Sequence, residues 1–158
     1  MSKNVDYSGL TLLGHSETLP PRRPSSKTLE TFQNGFTDRN YEVLFNCPEF
    51  TSMCPVTSQP DFGRILLHYI PGERCVESKS LKLYLMSFRN YGAFHEEVVN
   101  SVLDAIVKVC SPRWAEVVGL FNPRGGISIQ VRAATGAPPP GARELPLSET
   151  LGRTGEII

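Results

Sequence analysis

The strongest constraint on the fold is the order in which hydrophobic periodicity changes along the chain. Between Asn40 and Cys47 the apolar Tyr41, Val43 and Phe45 alternate with Glu42 and Asn46, the period-two pattern of a half-buried strand. A long loop carrying Pro48, Pro55 and Pro60 follows. The apolar and aromatic run from Phe62 to Ile70 then reads as a second strand, ended by the turn dipeptide Pro71-Gly72. After Glu77 the period becomes helical. Leu81, Tyr84, Leu85 and Phe88 recur at spacings of three and four, with Gly92 placed to end that helix. Val99, Val102, Leu103, Ile106 and Cys110 mark a second amphipathic helix, stopped at Ser111-Pro112 because proline has no N–H to continue the ladder. Trp114 to Phe121 returns to strand composition and Pro123-Arg124-Gly125-Gly126 turns the chain. Ile127, Ile129 and Val131 then alternate with Ser128, Gln130 and Arg132. The order strand, strand, helix, helix, strand, strand implies an α+β fold: a four-stranded antiparallel sheet with both helices on one face. Such a sheet leaves two edges to cover, and a core of about 110 residues buries limited surface. Subunits are therefore expected to join edge to edge into a ring.

Composition bounds the function. The 158 residues carry 16 Lys or Arg against 16 Asp or Glu, and there is no basic run of the kind that neutralises many phosphates, so direct nucleic-acid binding is not expected. Apolar stretches such as Val117 to Phe121 fall far short of the roughly 18 residues a membrane span needs. The N-terminus, with Lys3 and Asp6, lacks an apolar signal region. A cytoplasmic protein is expected, with Cys47, Cys54, Cys75 and Cys110 as thiols. Three segments are expected: an extended N-terminal arm over 1–25, a single domain over 26–132 and a flexible tail over 133–158, where four Gly and four Pro occur.

Four stretches carry candidate chemistry. Cys47 to Phe62 holds three prolines that brace a loop with a thiol at Cys54 and a carboxylate at Asp61. A thiol becomes a nucleophile when a base, positive charge or dipole stabilises its thiolate; the competing interpretation is a small buried hydrophobe. Zinc is the weaker explanation, because six residues separate Cys47 from Cys54 and no His stands close. Val76 to Tyr84 passes from a strand end into a helix whose amides favour anions, with Lys79 and Lys82 three apart on one side; a solvated helix terminus explains the same pattern. Phe94-His95-Glu96-Glu97 opens the second helix, where acidic residues are favourable in any case. Pro123-Arg124-Gly125-Gly126 is compatible with an ordinary hairpin turn.

Together these stretches resemble the short form of the NADPH-dependent 7-cyano-7-deazaguanine reductases, the nitrile reductases of queuosine biosynthesis. The resemblance rests on Phe45-Asn46-Cys47-Pro48-Glu49-Phe50-Thr51-Ser52, Gln59-Pro60-Asp61-Phe62, Glu77 to Tyr84, Ser87-Phe88-Arg89-Asn90, Phe94-His95-Glu96 and Pro123 to Ile129, and covers roughly residues 40 to 132. It implies the tunnelling fold, in which sheets of several subunits close into a barrel with active sites between neighbours, and a homo-oligomer of two five-membered rings. It further implies NADPH as cofactor and 7-cyano-7-deazaguanine as substrate. By the same resemblance Cys54 is the nucleophile and Asp61 the proton donor. Val76, Glu77, Ser78, His95 and Glu96 bind substrate, and Lys79, Lys82 and Arg124 are candidates for the cofactor phosphates. No metal is implied. Two rivals remain, a zinc-dependent pterin or purine cyclohydrolase on the same fold and a non-catalytic purine-binding module.

Overall fold

The computed structural model of the chain describes residues 21–142. The expected arm and tail therefore lie largely outside the described residues. Six strands and two helices follow a short 3-10 turn at Ser26–Thr28: β1 (Thr31–Gln33), β2 (Val43–Met53), β3 (Pro60–Ile70), β4 (Arg74–Val76), α1 (Ser78–Met86), α2 (His95–Cys110), β5 (Trp114–Arg124) and β6 (Ile127–Ala134). The main sheet has the order β2-β3-β5-β6, antiparallel throughout, and β1 pairs with β4 in a separate two-stranded ribbon. The four-stranded α+β arrangement agrees with the periodicity. The ribbon was not expected, because three-residue strands are too short to express a period.

The side chains of β3 and β5 divide as alternation requires. Ile65, Leu67, Tyr69, Ala115, Val117 and Phe121 pack with Val98, Val99, Val102 and Ile106 of α2 and with Leu81, Tyr84 and Leu85 of α1, so both helices cover one face. Leu66, Val118 and Leu120 form a smaller cluster on the other face. There His68 bonds Glu42 at 2.7 Å and Arg132 pairs with Glu116.

Three local expectations change. The first strand does not stop at Cys47. It continues to Met53 across a bulge, where the register steps from Cys47↔Ile65 to Phe50↔Gly63. The extra residue lies at Pro48-Glu49 on an edge strand, one of the few places in a sheet that tolerates a missing N–H. The loop is thus only residues 54–59. Second, β5 runs through Pro123 and Arg124, so the turn is Gly125-Gly126 alone, with φ of 58° and 81°. That pair of positive angles is the two-residue hairpin solution that glycine favours. Third, α1 ends at Met86, six residues before Gly92, where the Ser87 hydroxyl donates to Tyr84 O at 2.5 Å. Gly92 instead forms a bridge with Met53. Met53 N–H donates to Tyr91 O at 3.1 Å and Ala93 N–H to Met53 O at 3.0 Å. This stitch carries the start of α2 to the end of β2.

Gly63 and Gly119 make room for the Phe121 ring. A Cβ on Gly63 would lie 2.6 Å from Leu120 O and 3.1 Å from the ring, and one on Gly119 would lie 2.6 Å from it. The obstacle at Gly63 is backbone, which no rotamer change relieves. Gly63→Ala is expected to cost roughly 1–3 kcal/mol of overpacking, lowering the midpoint of a thermal melt followed by circular dichroism by roughly 3–10 °C. An unchanged midpoint would show that β3 and β5 separate without penalty.

Candidate active site

The site forms where the 54–59 loop, the start of β3, the end of β5 and the start of α2 meet. The loop is closed by its own backbone: Cys54 N–H donates to Gln59 O at 2.8 Å and Ser58 N–H to Cys54 O at 3.0 Å, with Ser58 at φ 53°. This turns the Thr57 amide onto Cys54 Sγ at 3.5 Å. The Cys54 thiol is lowered from its ordinary 9.0 to about 7, first by hydrogen bonds from Thr57, then by the Val56 amide and the Arg124 guanidinium. Cys47 differs: burial pushes its thiol up. Cys110 is pushed up to about 12, also chiefly by burial. The four cysteines are all free, and the surroundings of Cys54, unlike those of Cys47 and Cys110, favour a thiolate.

Asp61 is 5% exposed and faces two basic groups. Arg124 Nη1 donates to Asp61 Oδ1 at 2.5 Å, while Nη2 reaches Gln59 Oε1 at 3.2 Å and Thr57 Oγ1 at 3.5 Å. His95 Nε2 lies 3.5 Å from Asp61 Oδ2. That approach is too poor for a hydrogen bond, so Nε2 is buried without a hydrogen-bond partner among the described residues. The imidazole stacks on Phe121, centroids 3.9 Å apart and planes within 15°. Thus the space left by Gly63 and Gly119 seats Phe121, and Phe121 is the floor on which His95 lies. Ser52, the register partner of Asp61, is fully buried with its hydroxyl also unpartnered. Glu96 follows His95 in the first turn of α2 and is exposed.

Val76, Glu77 and Ser78 stand elsewhere. Val76 N–H donates to Tyr69 Oη at 3.1 Å, and the eight steps along β3 from Asp61 to Tyr69 span about 26 Å. The length of α2 gives a second measure. His95 begins it beside Asp61, and Cys110, at its end, interacts with Cys75 and Tyr69, about 24 Å away for sixteen residues. Within one chain these residues do not share a small-molecule site with Cys54.

The remote segment borders its own cavity of about 500 Å³, walled by Phe32, Phe36, Tyr41, Phe45, Tyr69 and Cys75, with Glu77 and Ser78 among the lining residues. Glu77 is the N-cap of α1. Its carboxylate accepts from Lys79 N–H at 2.8 Å and Ser80 N–H at 2.7 Å, so these two amides are already taken. Arg124, grouped with Lys79 and Lys82 in sequence reasoning, is instead placed against Asp61.

Among the described residues, no three His, Cys, Asp or Glu side chains converge as a metal-ligand set, and no helix is long and apolar enough to cross a membrane.

The family described as QueF-like protein matches residues 60–140, just over half of the chain. A reductase of Streptococcus thermophilus, the NADPH-dependent 7-cyano-7-deazaguanine reductase, is 53% identical over 129 residues, covering 82% of this chain and 79% of that protein. The chain belongs to the QueF-like family. The identically named protein of Bacillus thuringiensis subsp. konkukian is also 53% identical, over 133 residues, covering 84% of this chain and 81% of its own length. The apo crystal structure of an archaeosine synthase QueF-Like superposes with a TM-score of 0.55 at 21% identity, over 63% of this chain and 96% of that one. At that identity it speaks for the fold, which is the tunnelling-type α+β fold expected from the resemblance.

Cys54 and Asp61 are expected from the sequence, whereas Thr57, Gln59, Ser52 and Phe121 join them only in the folded structure. Only the pairing of β3 with β5, Gly63↔Phe121, brings Phe121 and Arg124 to Asp61. Spacing along the chain carries no such signal.

Proposed function

We propose that this protein uses NADPH to reduce the nitrile of 7-cyano-7-deazaguanine to the aminomethyl group, through a covalent thioimide on Cys54, as a cytoplasmic step of queuosine biosynthesis. The observation that carries this reading is a thiol shifted to about 7 on a loop that Arg124 ties to a buried carboxylate, with an imidazole 3.5 Å from that carboxylate. Relatives at 53% identity bear the name of this reductase.

The chain's own residues account for the addition step. The thiol proton of Cys54 passes to the Asp61 carboxylate, which stands against the Arg124 guanidinium. Sulfur then bonds to the nitrile carbon, one carbon–nitrogen π bond breaks, and its electron pair takes the proton from Asp61. One difficult step becomes two easier ones. Glu96, exposed beside His95, accepts from the ring N–H and exocyclic amine of a guanine-like edge; such polar matching discriminates strongly. NADPH supplies hydride, and two are needed to take a nitrile to a primary amine. The ammonium groups of Lys79 and Lys82 suit its phosphates, with Arg124 the third basic group of the set. The chain has no dinucleotide Gly-x-Gly-x-x-Gly loop, so binding is through side chains.

Because Val76, Glu77 and Ser78 lie a strand's length from Cys54, one copy brings its Cys54 cluster to the Val76–Ser78 segment of a neighbour in a ring-forming homo-oligomer, two rings of five by family resemblance. Neutral net charge suits a free-base substrate rather than RNA. A mixing experiment tests the shared site. Cys54→Ala and Ser78→Trp subunits, each inactive alone, are expected to regain about a quarter of wild-type activity when unfolded and reassembled together, the share of random neighbour pairs with both intact halves. No recovery would place the site within one subunit.

The function itself is tested by supplying 7-cyano-7-deazaguanine as sole electron acceptor and following NADPH consumption. Two NADPH per amine formed are expected; no consumption overturns the reading.

A further inference from the structure

The reaction above needs a sulfur and a carboxylate held in fixed relation, yet Cys54 lies on a six-residue loop whose backbone bonds are mostly its own. One side chain ties that loop to the sheet. Arg124 donates through Nη1 to Asp61 on β3 at 2.5 Å, and through Nη2 to Gln59 and Thr57 of the loop at 3.2 and 3.5 Å. Thr57 in turn presents its amide to Cys54 Sγ at 3.5 Å. The planar fork of a guanidinium makes several directed bonds at once, which a lysine cannot reproduce. Arg124 is also rigidly based, at the end of β5 one residue before the Gly125-Gly126 turn.

We propose that Arg124 is a positioning residue of the reaction: by clamping Thr57 and Gln59 against Asp61 it holds the Thr57 amide on the Cys54 sulfur and keeps sulfur and carboxylate in register. The assignment rests on the proposed nitrile chemistry and goes beyond a part in binding cofactor phosphates. Removing the guanidinium frees the loop, the Thr57 side chain and amide leave Sγ, and the thiolate loses both the hydrogen bonds from Thr57 and a nearby positive charge, in line with the causes of the lowered Cys54 pKa.

The first measurement needs neither substrate nor cofactor. The rate of Cys54 alkylation by iodoacetamide is measured against pH in the full chain, with peptide mass analysis separating Cys54 from the other three cysteines. In Arg124→Gln the rate at pH 7 is expected to fall about three- to tenfold, with the midpoint of the profile moving toward that of an ordinary thiol. Thr57→Pro, which removes the amide donor, is expected to move the profile the same way. The double variant should fall no further than the lower of the two, because both substitutions break one linkage. Arg124→Lys should recover only part of the rate. Circular dichroism of each variant checks that the fold is kept. An Arg124→Gln profile identical to wild type, with only the KM for NADPH raised, would overturn the proposal and leave Arg124 as a cofactor contact. If the profiles shift as described but the wild type does not consume NADPH with the nitrile, the linkage stands and the proposed reaction fails.

Discussion

Cys54→Ala is expected to abolish nitrile reduction, by on the order of 10³-fold or more in kcat, since removing a covalent nucleophile leaves only binding and polarisation. The same substitution removes the adduct that intact-mass measurement should detect when protein and nitrile are mixed without NADPH. The effect is specific to this sulfur for a physical reason. With a pKa of about 7, about half of Cys54 is thiolate at pH 7, whereas a thiol at the ordinary 9.0 is ionised to about 1%. Cys47, shifted upward by burial, is poorer still. The sign of the pH dependence follows: adduct formation falls as pH drops below 7, where the thiolate is protonated, and levels off above it. An undiminished adduct in Cys54→Ala would move the nucleophile elsewhere.

Asp61→Asn is expected to separate activation of the thiol from delivery of the proton. Asparagine keeps the size of the carboxylate and an oxygen for Arg124, so the loop remains tied and Cys54 alkylation by iodoacetamide should change less than about threefold. Thioimide formation should nevertheless slow by roughly 10²–10⁴, the range for losing a positioned general acid, because the nitrogen anion then has no donor beside it. Stopped-flow measurement of adduct formation, set beside the alkylation rate of the same variant, reads both. Adduct formation at the wild-type rate would remove Asp61 from the mechanism, and His95, 3.5 Å from it, would be the next donor to examine.

The parts of the site legible in the sequence were those in which neighbouring residues in the chain remain neighbours in space. The proline-flanked stretch around Cys54 and Asp61 is one continuous hairpin, and Ser52↔Asp61 are cross-strand partners within it. Glu77 and the residues after it were legible as a helix start for a similar reason, although the carboxylate turned out to cap the very amides that seemed available to an anion. The bulge at Pro48-Glu49 was not legible, because a proline in an alternating run signals a strand end as readily as a bulge on an edge strand. Gly92 looked like a helix stop because glycine commonly is one. Its role is instead steric: a Cβ there would lie 3.1 Å from Pro55 Cα, so its smallness allows the approach that brings His95 to Asp61.

Periodicity alone, a local property read over a few residues at a time, determined the number of main strands and helices and their order, and implied that both helices share one face of the sheet. The family resemblance pointed to Cys54 and Asp61 as the sulfur and carboxylate to consider. Only the folded arrangement decided that Arg124 meets an aspartate 63 positions away, that Phe121 carries His95, and that Val76–Ser78 stand a strand's length from Cys54. Those relations depend on strand register and packing between distant segments, where a shift of one residue turns every side chain to the opposite face.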